Sequence, residues 1–332
     1  MRILASLLLL LSSTIACADY SEDARAVTMY ASLRADYGFS DQDIDWVRQA
    51  LAAAKQLPQL IVAEQTAKER TLTWDAYEPI HVNQTNIAAG LRFMRENRHW
   101  LARAETEYGV PPQVVTAVLG VETKYGSFTG RHRALDALAT LGFDHPTRAD
   151  FFRGELEQYF VLCRRNGFEP AALRGSYAGA LGAAQFMPSN YLKLGVDFDG
   201  NGRVDLWSTA DAIGSVANYL AHFRSNAEWQ RGEPLYVTAR VPDDWSSDMP
   251  RNGRAATLTV GALMHAGIEL PQPLPAALPA GLVELKRGNG ADYWLALSNF
   301  FSVMSYNPHV FYAASVAALA NAIAHAQTAP SE

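Results

Sequence analysis

The stretch whose reading decides the fold is Val114-Val115-Thr116-Ala117-Val118-Leu119-Gly120-Val121-Glu122-Thr123-Lys124-Tyr125-Gly126, entered through Pro111-Pro112. Proline is tolerated in the first turn of a helix, where its missing N–H has no partner anyway. Glycine is favoured just past a helix end, so Gly126 marks the stop. Between them, Val115, Val118, Leu119 and Glu122 share one face, at spacings of three, four and seven. A carboxylate thus interrupts an apolar stripe, in the last turn of the helix. That end carries the negative pole of the helix dipole. Burial and dipole both disfavour the ionised form, so both raise the pKa expected of Glu122. A carboxylic acid kept protonated near neutral pH is what a general acid requires. The structural alternative is a glutamate paired with Lys124 or an arginine at a helix end.

Working outward, the pattern stays helical. Ser40 and Asp43 form a variant capping box that opens a helix to about Ala54. Residues 58–77 are less regular. Asn83 caps a long amphipathic helix to about Tyr108, through Ile87, Leu91, Met94 and Leu101, and Gly109 ends it. Further helices are expected over 147–165, 189–194, 209–226 and 309–325. From Gly232 the character changes. Leu235 to Val241, Leu282 to Lys286, Tyr293 to Leu297 and Phe300 to Ser305 read as strands, with a turn at Arg287-Gly288-Asn289-Gly290-Ala291. Residues 271–279 are rich in Pro and Ala and read as a linker. The class is α+β, predominantly helical, with a small antiparallel β-sheet late in the chain.

Composition narrows the function. The 332 residues are 49% hydrophobic, with 28 basic against 34 acidic side chains, a net charge of -6. That excludes a disordered chain. It also argues against nucleic acid as a partner, since no basic excess exists to neutralise phosphates. Residues 1–17 read as a signal peptide, too short in their apolar part to span a bilayer. The expected compartment is the periplasm. Cys17 allows two readings: cleavage after Ala18, or lipidation of Cys17 and a tether to the outer membrane. The other cysteine, Cys163, falls on an apolar helical face and reads as a buried, inert thiol.

Two more segments carry chemistry. Gly175-Ser176-Tyr177-Ala178-Gly179-Ala180-Leu181-Gly182-Ala183-Ala184-Gln185-Phe186-Met187-Pro188-Ser189 has small residues that permit close approach of backbone to a ligand or a neighbouring helix. Asp197-Phe198-Asp199-Gly200-Asn201-Gly202-Arg203-Val204-Asp205 follows an EF-hand calcium loop, with oxygen ligands at positions one, three and five and glycine at six. Position twelve is Ser208, where a glutamate is expected. Asp211 lies three residues later, where it can close a lengthened loop.

Gly-Val-Glu-Thr-Lys-Tyr-Gly at 120–126, the Gly175–Ser189 segment and Asp211-Ala212-Ile213-Gly214-Ser215-Val216-Ala217-Asn218-Tyr219-Leu220 together resemble the B family of lytic murein transglycosylases, in order and in spacing. The resemblance covers most of the chain from about residue 25. It implies a lysozyme-like catalytic core over 96–232, with a helical portion at 18–95 and a C-terminal portion at 233–332 carrying the small sheet. It implies cleavage of the β-1,4 bond between N-acetylmuramic acid and N-acetylglucosamine in peptidoglycan glycan strands, by a monomer. Glu122 would protonate the glycosidic oxygen and then, as a carboxylate, take the proton of the muramyl C6 hydroxyl, which closes a 1,6-anhydro ring. Ser176, Gln185, Tyr219, Asn299, Tyr77 and Arg148 match substrate-cleft positions. Asp197, Asp199, Asn201, Asp211 and the Arg203 carbonyl match a structural calcium site.

Two other readings compete. A muramidase-type hydrolase on the same scaffold needs a second carboxylate, for which Asp136, Asp144 and Glu155 are candidates. A calcium-dependent glycan-binding protein needs none, but the presence of Glu122, Ser176 and Gln185 argues against it. The eight histidines form no close metal-ligand pattern, and no esterase elbow, P-loop or dinucleotide fingerprint occurs.

Overall fold

A computed structural model describes residues 19–66, 71–223, 229–242, 245 and 248–328. The expected signal peptide, and Cys17 with it, lies outside the described residues. The Pro112–Thr123 helix runs through the centre of the core. It packs against Gln84–Glu96, Arg98–Tyr108, Thr209–His222 and the C-terminal helix Val310–Thr328. The sequence suggested one apolar stripe, yet Val114 to Gly120 are all buried. Neighbours on every side explain why this run is apolar all round. It comes half out of the core at its two ends, with Pro112 and Gln113 at the start and Val121 and Glu122 in the last turn.

Around this axis, Ala24–Tyr37, Asp41–Ala52, Gln59–Gln65 and Trp74–His81 form the N-terminal portion. The Ser40–Asp43 capping box is present in full. Ala134–Asp144 and Ala149–Asn166 pack together on the far side. The long helix expected from Asn83 to Tyr108 is two helices, broken at Asn97. There the Asn97 side chain donates to the Phe93 carbonyl at 2.9 Å, a local bond that competes with helix continuation.

Strands β1 (His132–Arg133) and β2 (Arg174–Gly175) form a short antiparallel pair. Strands β3 (Tyr236–Ala239), β4 (Leu258–Thr259), β5 (Pro279–Arg287) and β6 (Gly290–Ala296) form an antiparallel sheet of order β3-β6-β5-β4. β5 and β6 join through Gly288-Asn289, pairing Arg287 with Gly290, where the turn was expected. Phe300 to Ser305 is not a strand. It belongs to the helix Ser298–Met304, whose residues from Asn299 on are all buried. A short apolar run buried on every side carries no period that separates the two states. One large core runs from Tyr20 to Ile323. A smaller one, around Val260, Leu263, Leu282 and Leu295, underlies the sheet.

Candidate active site and candidate calcium loop

Glu122 stands in the final turn of the central helix, half-buried. The chain then doubles back through three consecutive left-handed residues, Lys124 (φ 50°), Tyr125 (φ 61°) and Gly126 (φ 82°). Side chains rarely adopt this conformation, and such strain persists only where the surroundings enforce it. Three contacts enforce it here. Tyr125 folds over the helix and donates to the Asn86 carbonyl at 2.6 Å. Gly120 makes room for that ring: a Cβ there would lie 2.8 Å from it. Thr123 Oγ1 donates to the Ala183 carbonyl at 2.9 Å and accepts from Gly126 N–H.

Ala183 belongs to the small-residue segment, which is therefore fastened to the end of the Glu122 helix. Leu181 and Phe186 exchange backbone hydrogen bonds and close a tight loop. At its turn Gln185 is held at φ 51°. Gln185 Nε2 donates to the carbonyls of Thr129 (3.1 Å) and Gly182 (2.9 Å), which leaves Oε1 to accept from a ligand. Ser176 Oγ accepts from the N–H groups of Ala178 (3.3 Å) and Ala180 (3.1 Å). Its lone pairs are thereby occupied and its hydroxyl proton is free to be donated. Glu122 thus lies on one segment and Ser176 and Gln185 on another, the two bonded to each other through Thr123 and Ala183.

Tyr306 and Tyr312, from the far end of the chain, complete the surroundings of Glu122. Burial and the Glu122 charge hold both phenols well above their ordinary pKa, so they stay protonated. Tyr306 donates to the Ala184 carbonyl. Tyr312 Oη is buried, and the charge of Glu122 opposes its ionisation. Sequence reasoning missed both residues; nothing local distinguishes them from core tyrosines. Tyr219 joins the same aromatic group, 4.5 Å from the Tyr306 ring, and donates to the Ser305 carbonyl at 2.8 Å.

The remaining cleft candidates each have partners within the fold. Asn299 is buried, and its amide bridges Gln230 and Glu233 through three hydrogen bonds of 2.8 Å. Arg148 pairs with buried Glu64, which also meets His145 Nε2 at 3.1 Å. His145 Nδ1 accepts from the N–H groups of Thr147 and Arg148, so its proton is on Nε2 and is donated to Glu64. Tyr77 is buried against Trp74 and Phe311.

The three carboxylates of the hydrolase reading are likewise committed. Asp136 accepts from Lys55 N–H at 3.0 Å and pairs with Arg133 at 3.2 Å. Asp144 accepts from Tyr20 Oη at 2.6 Å and from Gln56 at 2.9 Å. Glu155 accepts from Ser189 N–H at 2.9 Å and Oγ at 2.6 Å.

The acidic loop lies between Pro188–Leu194 and Thr209–His222. Asp197, Asp199 and Asp211 each bring a carboxylate oxygen within 4.8 Å of the others. Backbone N–H groups aim them: Gly200, Asn201 and Gly202 onto Asp197, and Phe198 and Asp205 onto Asp211. Burial holds the Asp211 carboxyl above the usual carboxylate range, against the pull of the N–H groups of Asp205, Phe198 and Asp199. An all-oxygen set with three carboxylates fits a hard divalent cation.

The transglycosylase SLT domain family matches residues 23–321. The chain belongs to this family. It is a lytic transglycosylase of peptidoglycan with a lysozyme-like fold. Membrane-bound lytic murein transglycosylase B of Escherichia coli (strain K12) is 39% identical over 254 residues, 76% of this chain and 68% of that protein. The catenated lytic transglycosylase SltB1 of Pseudomonas aeruginosa superposes with a TM-score of 0.85 at 35% identity, covering 93% of this chain and 100% of that one. The Escherichia coli lytic transglycosylase Slt35 in complex with calcium gives 0.82 at 34% identity, over 94% and 96%.

Proposed function

We propose that Glu122 alone carries the chemistry of this transglycosylase. Its carboxylic acid gives a proton to the glycosidic oxygen as the C1–O bond breaks. The resulting carboxylate takes the proton of the muramyl C6 hydroxyl as O6 bonds to C1. The products are a free N-acetylglucosamine hydroxyl and a 1,6-anhydro-N-acetylmuramic end. One observation carries this reading over hydrolysis: Asp136, Asp144 and Glu155 are each spent on structural hydrogen bonds. Hydrolysis with two carboxylates needs the second one free to act on water or on the sugar, whereas here the substrate brings its own nucleophile.

Ser176 and Gln185 supply one donor and one acceptor to the sugars. Tyr219 and Asn299 support the cleft through the Ser305 carbonyl and the Gln230–Glu233 backbone. Tyr77 and Arg148 shape it from the N-terminal side. Residues 96–232 form the catalytic core, flanked by 18–95 and 233–332. Asp197, Asp199, Asn201, Asp211 and the Arg203 carbonyl would hold calcium, which would stiffen the loop without entering the reaction. The chain is exported and acts as a monomer in the periplasm; cleavage just before Cys17, with lipidation of that residue, would tether it to the outer membrane, whereas cleavage after Ala18 would release it. The membrane-bound relative favours the tether.

Mass spectrometry of digested peptidoglycan tests the chemistry. Ends that resist borohydride reduction are expected from the native enzyme, and none from Glu122→Gln. Reducible ends, or fragment release by Glu122→Gln, overturn the assignment. Calorimetry on calcium-stripped protein tests the loop: binding with a higher melting temperature is expected, and neither in Asp211→Asn. A native protein without that response refutes the site.

A further inference from the structure

Between the end of the Glu122 helix and β1 runs the loop 124–131. It is clamped along its whole length. Phe128 N–H donates to the Thr123 carbonyl at 2.9 Å. A Cβ on Gly126 would touch the Ala183 side chain at 3.7 Å. The Thr129 carbonyl accepts from Gln185. At Gly130 (φ +105°), the backbone lies so close to Gly175 that a Cβ would fall 2.0 Å from its carbonyl. The loop therefore spans from Ala183 to Gly175–Ser176, along the edge of the segment that carries Ser176 and Gln185.

In the middle of this clamped loop, Phe128 is 60% exposed, more than Phe151 at 46%. A single exposed apolar side chain on a mobile surface would need no explanation. This one is held up by a backbone that is strained at Lys124 and Tyr125. It follows Glu122 by six residues, and its neighbour Thr129 is bonded to Gln185. An aromatic ring offers an apolar face of fixed orientation with little rotamer freedom to lose. A pyranose offers the matching surface, the side of the ring that carries only C–H bonds.

We propose that Phe128 is a stacking platform for a sugar of the glycan strand, on the cleft rim beside the bond that Glu122 cleaves. It binds and orients the strand and takes no part in proton transfer. The proposal rests on the glycan-cleaving role of Glu122.

The test compares native enzyme, Phe128→Ala and Phe128→Trp, as full chains, on soluble uncross-linked peptidoglycan strands. Phe128→Ala is expected to raise KM about tenfold, equivalent to about 1.4 kcal/mol, with kcat within about twofold. Phe128→Trp restores KM, because another aromatic face serves the same purpose. Melting temperatures stay equal, since the side chain packs little against the fold. As a second readout, Phe128→Trp in the Glu122→Gln background changes its fluorescence when the strands are added, relative to Glu122→Gln alone. An unchanged KM in Phe128→Ala, a KM that Trp does not restore, or an unresponsive fluorescence overturns the proposal. If instead Glu122→Gln retains kcat, the reading of the acid has failed, independently of Phe128.

Discussion

In an exposed helix, replacing glycine by alanine stabilises by roughly 1 kcal/mol. At Gly120 the sign should reverse. An added Cβ would stand 2.8 Å from Cε1 and Cζ of Tyr125 and 2.9 Å from its Oη. The ring has nowhere to retreat. Its hydroxyl is bonded to the Asn86 carbonyl at 2.6 Å, the Phe93 ring lies 5.6 Å away, and its own backbone is fixed at φ 61°. Overpacking of this kind costs about 1–3 kcal/mol. Losing the Tyr125–Asn86 bond adds about 1 kcal/mol. Against the propensity gain, the net expectation for Gly120→Ala is a loss of about 1–3 kcal/mol. Activity should fall as well, because Tyr125 holds the chain directly behind Glu122, and a displacement of about 1 Å near reacting groups can cost about 100-fold. Urea unfolding midpoints at constant slope measure the first effect, and the rate of anhydro-product release the second. The decisive comparison is Gly120→Ala made in a Tyr125→Ala background. With the ring gone, the same substitution should become neutral or stabilising. A Gly120→Ala protein as stable as the native one, or a penalty that persists without the Tyr125 ring, refutes the reasoning.

Glu155→Ala leaves two Ser189 donors without their acceptor; stability should drop by about 1–3 kcal/mol, while kcat of the folded enzyme holds. A kcat collapse at unchanged stability would instead revive a two-carboxylate reaction. Asp23 caps the Ala24–Tyr37 helix, and its hydrogen bond with the Arg25 side chain holds its carboxyl down to about 2. A depressed folded-state pKa contributes stability above the ordinary carboxylate pKa that is lost as pH falls through about 2. Asn caps equally well, so Asp23→Asn should melt lower at pH 7, by no more than about 1 kcal/mol at this exposed site. That gap should close near pH 2 in acid-melting curves. Burial pushes the Cys163 thiol up to about 12. Iodoacetamide at pH 8 should therefore label the peptide carrying Cys163 only as fast as the chain unfolds; immediate labelling of native protein would contradict the buried assignment.

What the sequence made legible was local. The proline entry to the central helix, the Ser40–Asp43 capping box, the Gly288-Asn289 turn and the acidic loop each declare themselves within about fifteen residues, because caps, turns and loop ligands act over short spans. The errors came where packing decides. Ser298–Met304 is apolar without a period because it is buried all round. Ala134–Asp144 escaped notice for the same reason, with every residue from Ala134 to Phe143 buried. The break at Asn97 turns on one side-chain bond to Phe93, which a hydrophobic pattern does not register. The engagement of Asn299 with Gln230 and Glu233 was equally invisible, since a family position names a residue and not its partners.

The pair Tyr306–Tyr312 bears on how one carboxyl can act first as acid and then as base. In the proposed chemistry the protonated form is the one needed to protonate the leaving oxygen. The second half-reaction requires the ionised form to exist long enough to take the C6 proton. A phenol that stays neutral keeps an O–H to turn toward a carboxylate, and both tyrosines stay neutral because burial and the Glu122 charge oppose their ionisation. The same negative charge that opposes ionisation of Tyr312 thus leaves its buried hydroxyl with a proton to donate. Tyr306 cannot respond as freely, since its hydroxyl is already committed to Ala184. Ala184 in turn adjoins Ala183, where Thr123 fastens the helix of the acid. The last quarter of the chain is therefore not an accessory to the catalytic core. It supplies Tyr306 and Tyr312, whose ionisation burial and the Glu122 charge oppose, and Tyr306 bonds it to the segment to which Thr123 fastens the Glu122 helix.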